Sequence, residues 1–123
     1  MVRKILVVDD EADIRAELAE YLETKGYRVE VASDGREAFD RFEAAPADVV
    51  LTDIKMPRGD GFELIRRLRA IDPDVPIIVM TGRFSQTDRA RAKELGATIM
   101  IEKPIMLRRL TQFLKRWFDS DID

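Results

Sequence analysis

The chain has 123 residues, no Cys, no His and a formal net charge of −3. This length suits one domain with a buried core, and the missing residue types exclude disulfides, histidine-assisted nucleophiles and histidine metal sites. No apolar run approaches the about 20 residues of a membrane span, and no export signal precedes the first predicted strand. We therefore expect a single domain over residues 1–123 in the cytoplasm, and any bound metal should be a hard cation with oxygen ligands.

Short apolar runs alternate with helical patterns five times, which is typical of βαβ units. The predicted strands are Ile5–Val8, Arg28–Ala32, Val49–Thr52, Ile77–Met80 and Ile99–Ile101. The predicted helices run from about Ala12 to Lys25, after Asp34, after Asp60, from about Ser85 to Leu95, and through Leu107 and Trp117. This alternation predicts an α/β fold, a doubly wound five-stranded parallel sheet of flavodoxin-like (βα)5 type with strand order 2-1-3-4-5.

Two helix starts carry the pattern of a capping box, an acid at the cap with a Glu three residues later. These pairs are Asp34 with Glu37 and Asp60 with Glu63. Helix 4 is the weakest prediction, because only Ala90 and Leu95 are candidates for its inward face. Helix 5 has a strong apolar stripe, formed by Leu107, Leu110, Leu114 and Trp117. Phe113 and Phe118 lie off that stripe. They either complete the edge of the core or are exposed and mark an interface.

Polar side chains stand at the ends of four predicted strands. Asp9 and Asp10 follow strand 1, Asp53 follows strand 3, Thr81 follows strand 4 and Lys103 follows strand 5. In an open α/β sheet, ligands bind beyond the carboxyl ends of the strands, so these side chains should converge. Each has an ordinary structural explanation by itself, as a turn, cap or loop residue, but their coincidence at four strand ends favours one site.

The chemistry of this cluster suits a divalent cation and a phosphoryl group. Three carboxylates repel each other, and Lys103 offsets only one charge, so a divalent ion such as Mg²⁺ would cancel the other two. Asp53 is the best candidate for a nucleophile that forms an acyl phosphate. Thr81 can donate a hydrogen bond to a phosphoryl oxygen, Lys103 can supply positive charge, and Gly82 leaves room beside Thr81 for a ligand.

These motifs resemble the receiver domain of bacterial two-component response regulators, the CheY-like family. The resemblance spans nearly the whole chain, and its motifs occur in order: Asp9-Asp10, Asp53 with Met56-Pro57, Asp60-Gly61, Thr81 and Lys103-Pro104. It implies a phosphoacceptor in a phosphorelay rather than an enzyme with turnover on other substrates. The phosphoryl donor would be a phosphohistidine on a sensor histidine kinase or a histidine phosphotransfer protein.

The resemblance also implies roles for individual residues. Asp53 accepts the phosphoryl group; Asp10, Asp53 and the backbone carbonyl of Lys55 bind Mg²⁺ directly, and Asp9 acts through a metal-bound water. Thr81 and Lys103 contact the phosphoryl group, and the Lys103-Pro104 peptide bond is cis. Movement of Thr81 would report phosphorylation to the face of helix 4, strand 5 and helix 5, which binds a downstream protein or a second copy of the chain.

Three departures from the family pattern bear on this mechanism. Met100 stands where the family usually has an aromatic residue that changes position with the Thr, although a flexible thioether can also fill or leave a pocket. Gly59 stands where the family often has Met. Lys55 and Arg83 are cations at two positions that vary in the family and tune the lifetime of the phosphoryl group.

Three other functions compete with a receiver. An aspartyl-nucleophile phosphatase or phosphotransferase of the haloacid dehalogenase type needs an Asp two positions after the nucleophile, where this chain has Lys55. A flavodoxin-like FMN carrier needs a hydroxyl-rich loop after strand 1, where this chain has acids. A docking module that works without phosphorylation has no need of the cluster at the strand ends.

The output of the domain is predicted from charge. Residues 83–116 carry nine Lys and Arg against three acids, whereas residues 1–82 carry twelve against eighteen. The asymmetry reflects either solvated helix faces or a basic surface for a protein partner. We expect no direct nucleic-acid binding and no membrane contact. The chain is either a stand-alone regulator or a receiver taken from a longer protein, and we favour the first.

Overall fold

The computed structural model describes residues 2–56, 60–82 and 85–120, and for Ser120 the backbone alone. Within these residues five strands alternate with five helices, as predicted. They are β1 (Lys4–Val8), α1 (Ala12–Thr24), β2 (Arg28–Ala32), α2 (Gly35–Ala44), β3 (Val49–Asp53), α3 (Gly61–Ile71), β4 (Ile77–Thr81), α4 (Gln86–Leu95), β5 (Ile99–Glu102) and α5 (Leu107–Ser120).

All strand pairs are parallel, and the order is β2-β1-β3-β4-β5. The doubly wound sheet and its 2-1-3-4-5 order are therefore confirmed. β3 and β4 are buried along their whole length and β1 along nearly all of it, because helices cover both faces of the sheet. This explains why their sequences are continuous apolar runs rather than alternating patterns.

Two apolar cores flank the sheet. One contains buried residues of α2 and α3, with Ala92 of α4, and the other contains buried residues of α1 and α5. Alternate strand residues point to alternate sides, so Val79 of β4 belongs to the first core and Met80 to the second. The register pairs Val79 with Met100, which packs against the first core beside α4.

The helix caps follow the predicted residues but not every predicted contact. Asp34 accepts a hydrogen bond from the Glu37 backbone N–H, while the Glu37 carboxylate accepts from Ser33 rather than from Asp34. Asp60 accepts from the Glu63 backbone in the same way. The Glu63 side chain instead pairs with Arg66. Each of these helices therefore has half of a capping box.

The complete capping box belongs to α4, where it was not predicted. The Ser85 hydroxyl accepts from the Asp88 backbone N–H at 3.0 Å, and the Asp88 carboxylate accepts from the Ser85 N–H at 3.4 Å. Of the two residues predicted for the inward face of α4, Leu95 is half-buried and packs against the first core, but Ala90 is exposed and Ala92 is buried instead. A helix with one small buried residue gives a weak periodic pattern, because its apolar stripe is too short to show which side of the helix faces the core.

The open question on α5 is answered for both aromatic residues. Phe118 is buried and contacts the Tyr27 ring, so it completes the edge of the core. Phe113 and Trp117 are half-buried and stack against one another with ring centroids 6.1 Å apart. Between α5 and β5 the chain turns through a cis Lys103-Pro104 bond, as expected. None of the described helices is both long and apolar enough to cross a membrane.

Candidate functional site

The four strand ends converge at one edge of the sheet, as the sequence predicted. The Lys103 ammonium donates to Asp9 Oδ2 at 2.8 Å and to Asp53 Oδ2 at 3.0 Å, so it bridges the residues that follow β1 and end β3. The backbone N–H of Lys103 donates to the Thr81 carbonyl at 2.7 Å. Residues from β1, β3, β4 and β5 thus meet within hydrogen-bonding distance.

Three carboxylates form a compact cluster at this edge. One oxygen from each of Asp9, Asp10 and Asp53 lies within 4.8 Å of the other two. Asp9 and Asp53 are buried, whereas Asp10 is exposed. Separations of this size allow the three groups to share a single cation, and carboxylate oxygens are the ligands that Mg²⁺ prefers.

The three carboxylates differ in how many of their oxygens are already engaged. Asp9 accepts from the Glu11 backbone N–H at 2.9 Å through the oxygen that does not contact Lys103. Asp53 accepts from the Ile54 backbone N–H at 2.7 Å in the same way. Asp10 forms no hydrogen bond or ion pair with the described residues. Asp10 therefore has both oxygens available, which suits a direct metal ligand, whereas both oxygens of Asp9 and both oxygens of Asp53 already accept hydrogen bonds.

Burial and charge have opposing effects on the ionisation of this cluster. Burial raises the pKa of Asp53, with a smaller contribution from the Asp9 charge, and the bond to Lys103 only partly offsets this. Burial by itself would lower the pKa of Lys103, but its bonds to Asp9 and Asp53 outweigh that effect and raise it. Three acids against one ammonium leave two charges uncompensated, so the donor set and its charge fit a divalent ion.

Thr81 ends β4 and is 4% exposed, with its hydroxyl unbonded among the residues that the structure describes. A hydroxyl in that position is available to a ligand. A Cβ placed on the neighbouring Gly82 would meet no atom within 4 Å, so the space beside Thr81 is open, as expected.

Gly61 packs against the backbone that carries Asp53, a role that the sequence did not reveal although the Asp60-Gly61 pair was among the motifs. Its backbone N–H donates to the Ile54 carbonyl at 2.6 Å. A Cβ at Gly61 would lie 2.7 Å from Ile54 Cα and would also clash with the Asp53 carbonyl. Only glycine allows the start of α3 to approach so closely, and this contact fixes the backbone on which Asp53 sits. The Asp-Gly pair at the helix start was the available signal.

Two cations near the site have partners that the sequence could not specify. The Arg15 guanidinium donates to the Asp9 backbone carbonyl at 2.7 Å and so braces the loop after β1. The Lys55 ammonium is 71% exposed and lies 3.8 Å from the Asp88 carboxylate of the α4 capping box. The predictions that concern Pro57, Gly59 and Arg83 lie outside the described residues.

Comparison with known proteins agrees with this geometry. A family model described as the response regulator receiver domain matches residues 5–115. The response regulator MprA of Mycolicibacterium vanbaalenii is 43% identical over 122 residues, which are 96% of this chain and 53% of that protein. MprA of Mycobacterium avium is 41% identical over 107 residues, 87% of this chain and 47% of that protein. The chain thus spans about half the length of these curated relatives.

Solved structures show the same similarity. The chemotaxis protein CheY4 of Vibrio cholerae superposes with a TM-score of 0.89 at 35% identity, covering 94% of this chain and 98% of that one. A CheY-like receiver domain from Methanospirillum hungatei superposes with a TM-score of 0.93 at 31% identity, covering 98% and 96%.

Proposed function

The chain belongs to the response regulator receiver domain family of two-component systems, and on that premise we propose that it accepts a phosphoryl group on Asp53 in a Mg²⁺-dependent reaction. The observation that carries the proposal is the Lys103 ammonium bridging Asp9 and Asp53, with Asp10 alongside. The donor is a phosphohistidine on a sensor histidine kinase or a histidine phosphotransfer protein.

The transfer forms one bond and breaks one. An Asp53 carboxylate oxygen attacks phosphorus, and the phosphorus–nitrogen bond of the phosphohistidine breaks. The departing imidazole nitrogen keeps the electron pair of that bond and takes a proton from solvent. Lys103 already donates to Asp53 Oδ2, so it is placed to stabilise negative charge on the phosphoryl oxygens. The Thr81 hydroxyl would be the second donor once it moves toward the phosphoryl group. Lys103 is in place before transfer, which lowers the cost of reorganisation.

Mg²⁺ fits the donor set of this cluster. Asp10, Asp53 and the backbone carbonyl of Lys55 would hold it directly, and Asp9 would act through a bound water. When bound, it neutralises the excess carboxylate charge and supplies positive charge to the phosphoryl oxygens. Asp9 keeps Lys103 oriented, because one of its oxygens accepts from that ammonium and the other from the Glu11 backbone.

Two alternative functions make different demands on the same residues. A phosphatase or phosphotransferase of the haloacid dehalogenase type would need an acid at position 55, where an exposed Lys stands. A docking module that works without phosphorylation would have no use for the partly buried Asp53–Lys103 pair. We therefore propose a signalling phosphoprotein that promotes only its own phosphorylation and dephosphorylation, acts in the cytoplasm and contacts no nucleic acid or membrane directly.

Phosphorylation would be relayed to the face of α4, β5 and α5. Drawing Thr81 toward the phosphoryl group vacates space above β4, and Met100 lies on the neighbouring strand against the core beside α4. Met100 would repack into that space as a flexible side chain rather than an aromatic ring. The output is a change in what this face binds.

The test is phosphorylation with acetyl phosphate and Mg²⁺, followed by intact-protein mass spectrometry. One phosphoryl group should be added, and hydroxylamine should remove it, as it does from acyl phosphates. Asp53→Asn should abolish labelling, while Asp60→Asn, which alters a nearby carboxylate that caps α3, should retain it. Labelling of Asp53→Asn to the same extent, or a hydroxylamine-stable adduct, would overturn the proposal.

A further inference from the structure

Arg15 is the single cation of α1, and it lies near the end of that helix where a positive charge is least favoured. The helix carries four acids and this one base, which is its fourth residue. The aligned peptide dipoles of a helix disfavour cations at its N-terminal end. The Arg15 guanidinium also forms no ion pair with a carboxylate of the residues that the structure describes. Pairing with a neighbouring acid therefore does not explain its position.

The contact that Arg15 does make is with the backbone of the carboxylate cluster. Its guanidinium donates to the Asp9 carbonyl oxygen at 2.7 Å. Helix side chains point back toward the N-terminus, so a long side chain in the first turn of α1 can reach the loop that precedes it. Asp9 is fully buried, and a buried carbonyl oxygen requires a hydrogen-bond donor. Arg15 supplies that donor.

This hydrogen bond orients the peptide group that joins Asp9 to Asp10. The Asp9 carbonyl and the Asp10 Cα lie in one plane, because the peptide bond is planar. On the other side of the same residue, the Asp9 N–H donates to the Ala32 carbonyl of β2 at 3.2 Å. The backbone of Asp9 is thus held at both its polar groups, and the direction in which the chain enters Asp10 is set before any cation binds.

Asp10 depends on this backbone more than the other two carboxylates of the cluster do. Asp9 and Asp53 are each held by Lys103 and by a backbone N–H. Asp10 is exposed, and its carboxylate has no such bond to the described residues. A ligand without bonds of its own is oriented by the backbone that carries it. Loss of a group that orients a metal ligand typically lowers metal affinity by about 10- to 100-fold.

We propose that Arg15 is a positioning residue of the Mg²⁺ site, which directs Asp10 toward the cation by holding the Asp9 carbonyl and so strengthens Mg²⁺ binding. This rests on the proposed function, since it concerns the same site. The charge of Arg15 by itself would act in the opposite direction, because a positive charge beside the three carboxylates repels a divalent cation. Positioning and charge therefore predict changes of opposite sign when Arg15 is neutralised.

The test is the Mg²⁺ affinity of Arg15→Gln, which removes both the charge and the long donor. Isothermal titration calorimetry without a phosphodonor measures the dissociation constant, and urea unfolding without Mg²⁺ measures folding. Arg36→Gln is the matched control, because it removes the same charge from an exposed position on α2. Arg15→Lys keeps the charge but shortens the donor. The Mg²⁺ dependence of Asp53 labelling by acetyl phosphate is measured on each protein.

Arg15→Gln should raise the Mg²⁺ dissociation constant roughly tenfold, Arg15→Lys should raise it less, and Arg36→Gln should keep the wild-type value. The Mg²⁺ concentration that gives half the maximal labelling rate should rise in parallel. Unchanged or tighter Mg²⁺ binding in Arg15→Gln would overturn the inference. If that protein does not fold, a wild-type dissociation constant in Arg15→Lys would overturn it. Absence of both Mg²⁺ binding and labelling in the wild-type protein would instead overturn the proposed function, and this inference with it.

Discussion

Helices α3 and α4 are neighbours on the same side of the sheet, but they are held in different ways. α3 buries five residues, including Phe62, Ile65 and Leu68. α4 buries Ala92 alone among its described residues. The free energy of burial scales with the apolar area removed from water. α3 is therefore part of the stable framework under Asp53, and α4 is the helix with the least apolar surface to lose when it moves.

Polar contacts replace apolar ones in positioning α4. Its Asp88 lies near Lys55, which is two residues after Asp53, and its Arg89 pairs with Glu102, which directly precedes Lys103. Exposed ion pairs of this kind contribute little to stability. The partners of Asp88 and Arg89 therefore lie within two residues of Asp53 and Lys103, which would handle the phosphoryl group. A structural change at the site can break these ion pairs with little loss of free energy.

Truncating one leucine in each helix gives the largest expected effect. Leu68→Ala should lower the free energy of unfolding by about 2–5 kcal/mol, because Leu68 is fully buried in the first core. Leu95→Ala should cost less than half as much, since Leu95 is only half-buried. Urea unfolding measures both. Equal losses would show that α4 is as firmly packed as α3.

Mg²⁺ should stabilise the folded protein through the carboxylate cluster. At a concentration 100 times its dissociation constant, a ligand that binds only the folded state adds about 2.7 kcal/mol of stability. Asp10→Asn should remove most of this gain, whereas Asp40→Asn, on an exposed face of α2, should retain it. Thermal unfolding with and without Mg²⁺ provides the measurement. An unchanged gain in Asp10→Asn would contradict the assignment of the metal site.

The ionisation of Asp53 should make the framework less stable as pH rises. Its pKa is raised in the folded protein because of burial, so the folded state binds the proton more tightly than the unfolded state does. Stability therefore falls as pH rises from the ordinary Asp range through the raised pKa, and the loss persists at neutral pH.

Asp53→Asn should accordingly raise the midpoint of thermal unfolding at pH 7 in the absence of Mg²⁺, and this gain should shrink toward zero in acid, where Asp53 is protonated in both states. The same gain at both pH values would mean that burial of the charge is not its cause.

The smallest expected effect concerns the polar contacts of α4. Arg89→Gln should change global stability by about 0.5 kcal/mol or less, yet it should speed amide exchange in α4 severalfold while leaving α3 unchanged. Arg36→Gln, an exposed change on α2, is the control. Exchange that rises equally in α3 and α4 would indicate that the contact stabilises the whole domain.

Sequence patterns predicted the sheet and its strand-end site well. Strong apolar runs indicate buried strands, and polar residues that follow parallel strands must lie at the same end of the sheet. The sheet order and the meeting of Asp9, Asp53 and Lys103 followed from strand topology alone. The failures lie where periodicity is weak or contacts are long-range. Leu95 of α4 was placed correctly, but Ala90 was predicted to face inward where Ala92 does, because a single alanine provides the only fully buried side chain of that helix. The Arg15 contact with the Asp9 carbonyl depends on a side-chain conformation that no pattern encodes.

The capping boxes show the same limit at shorter range. The residue types at α2 and α3 were correct, and the caps formed, but Glu63 preferred Arg66 one turn away. The burial of Phe118 was left open because it depends on residues far away in the sequence, such as Tyr27, which precedes it by 91 positions. Local composition predicts which residues can bond, and tertiary geometry decides which bonds form.

The proposed route from Asp53 to α4 and β5 is tested most directly by comparing amide chemical shifts and hydrogen exchange with and without beryllofluoride. Beryllofluoride mimics a phosphoryl group on an aspartate. Residues 85–103 should change more than α2 does, since on the proposed route Thr81 and Met100 would connect the site to α4 and β5. Thr81→Ala should suppress that response while beryllofluoride still perturbs the loops beside Asp10 and Asp53. A response confined to those loops in the wild-type protein, or one that Thr81→Ala leaves intact in α4, would contradict the proposed route.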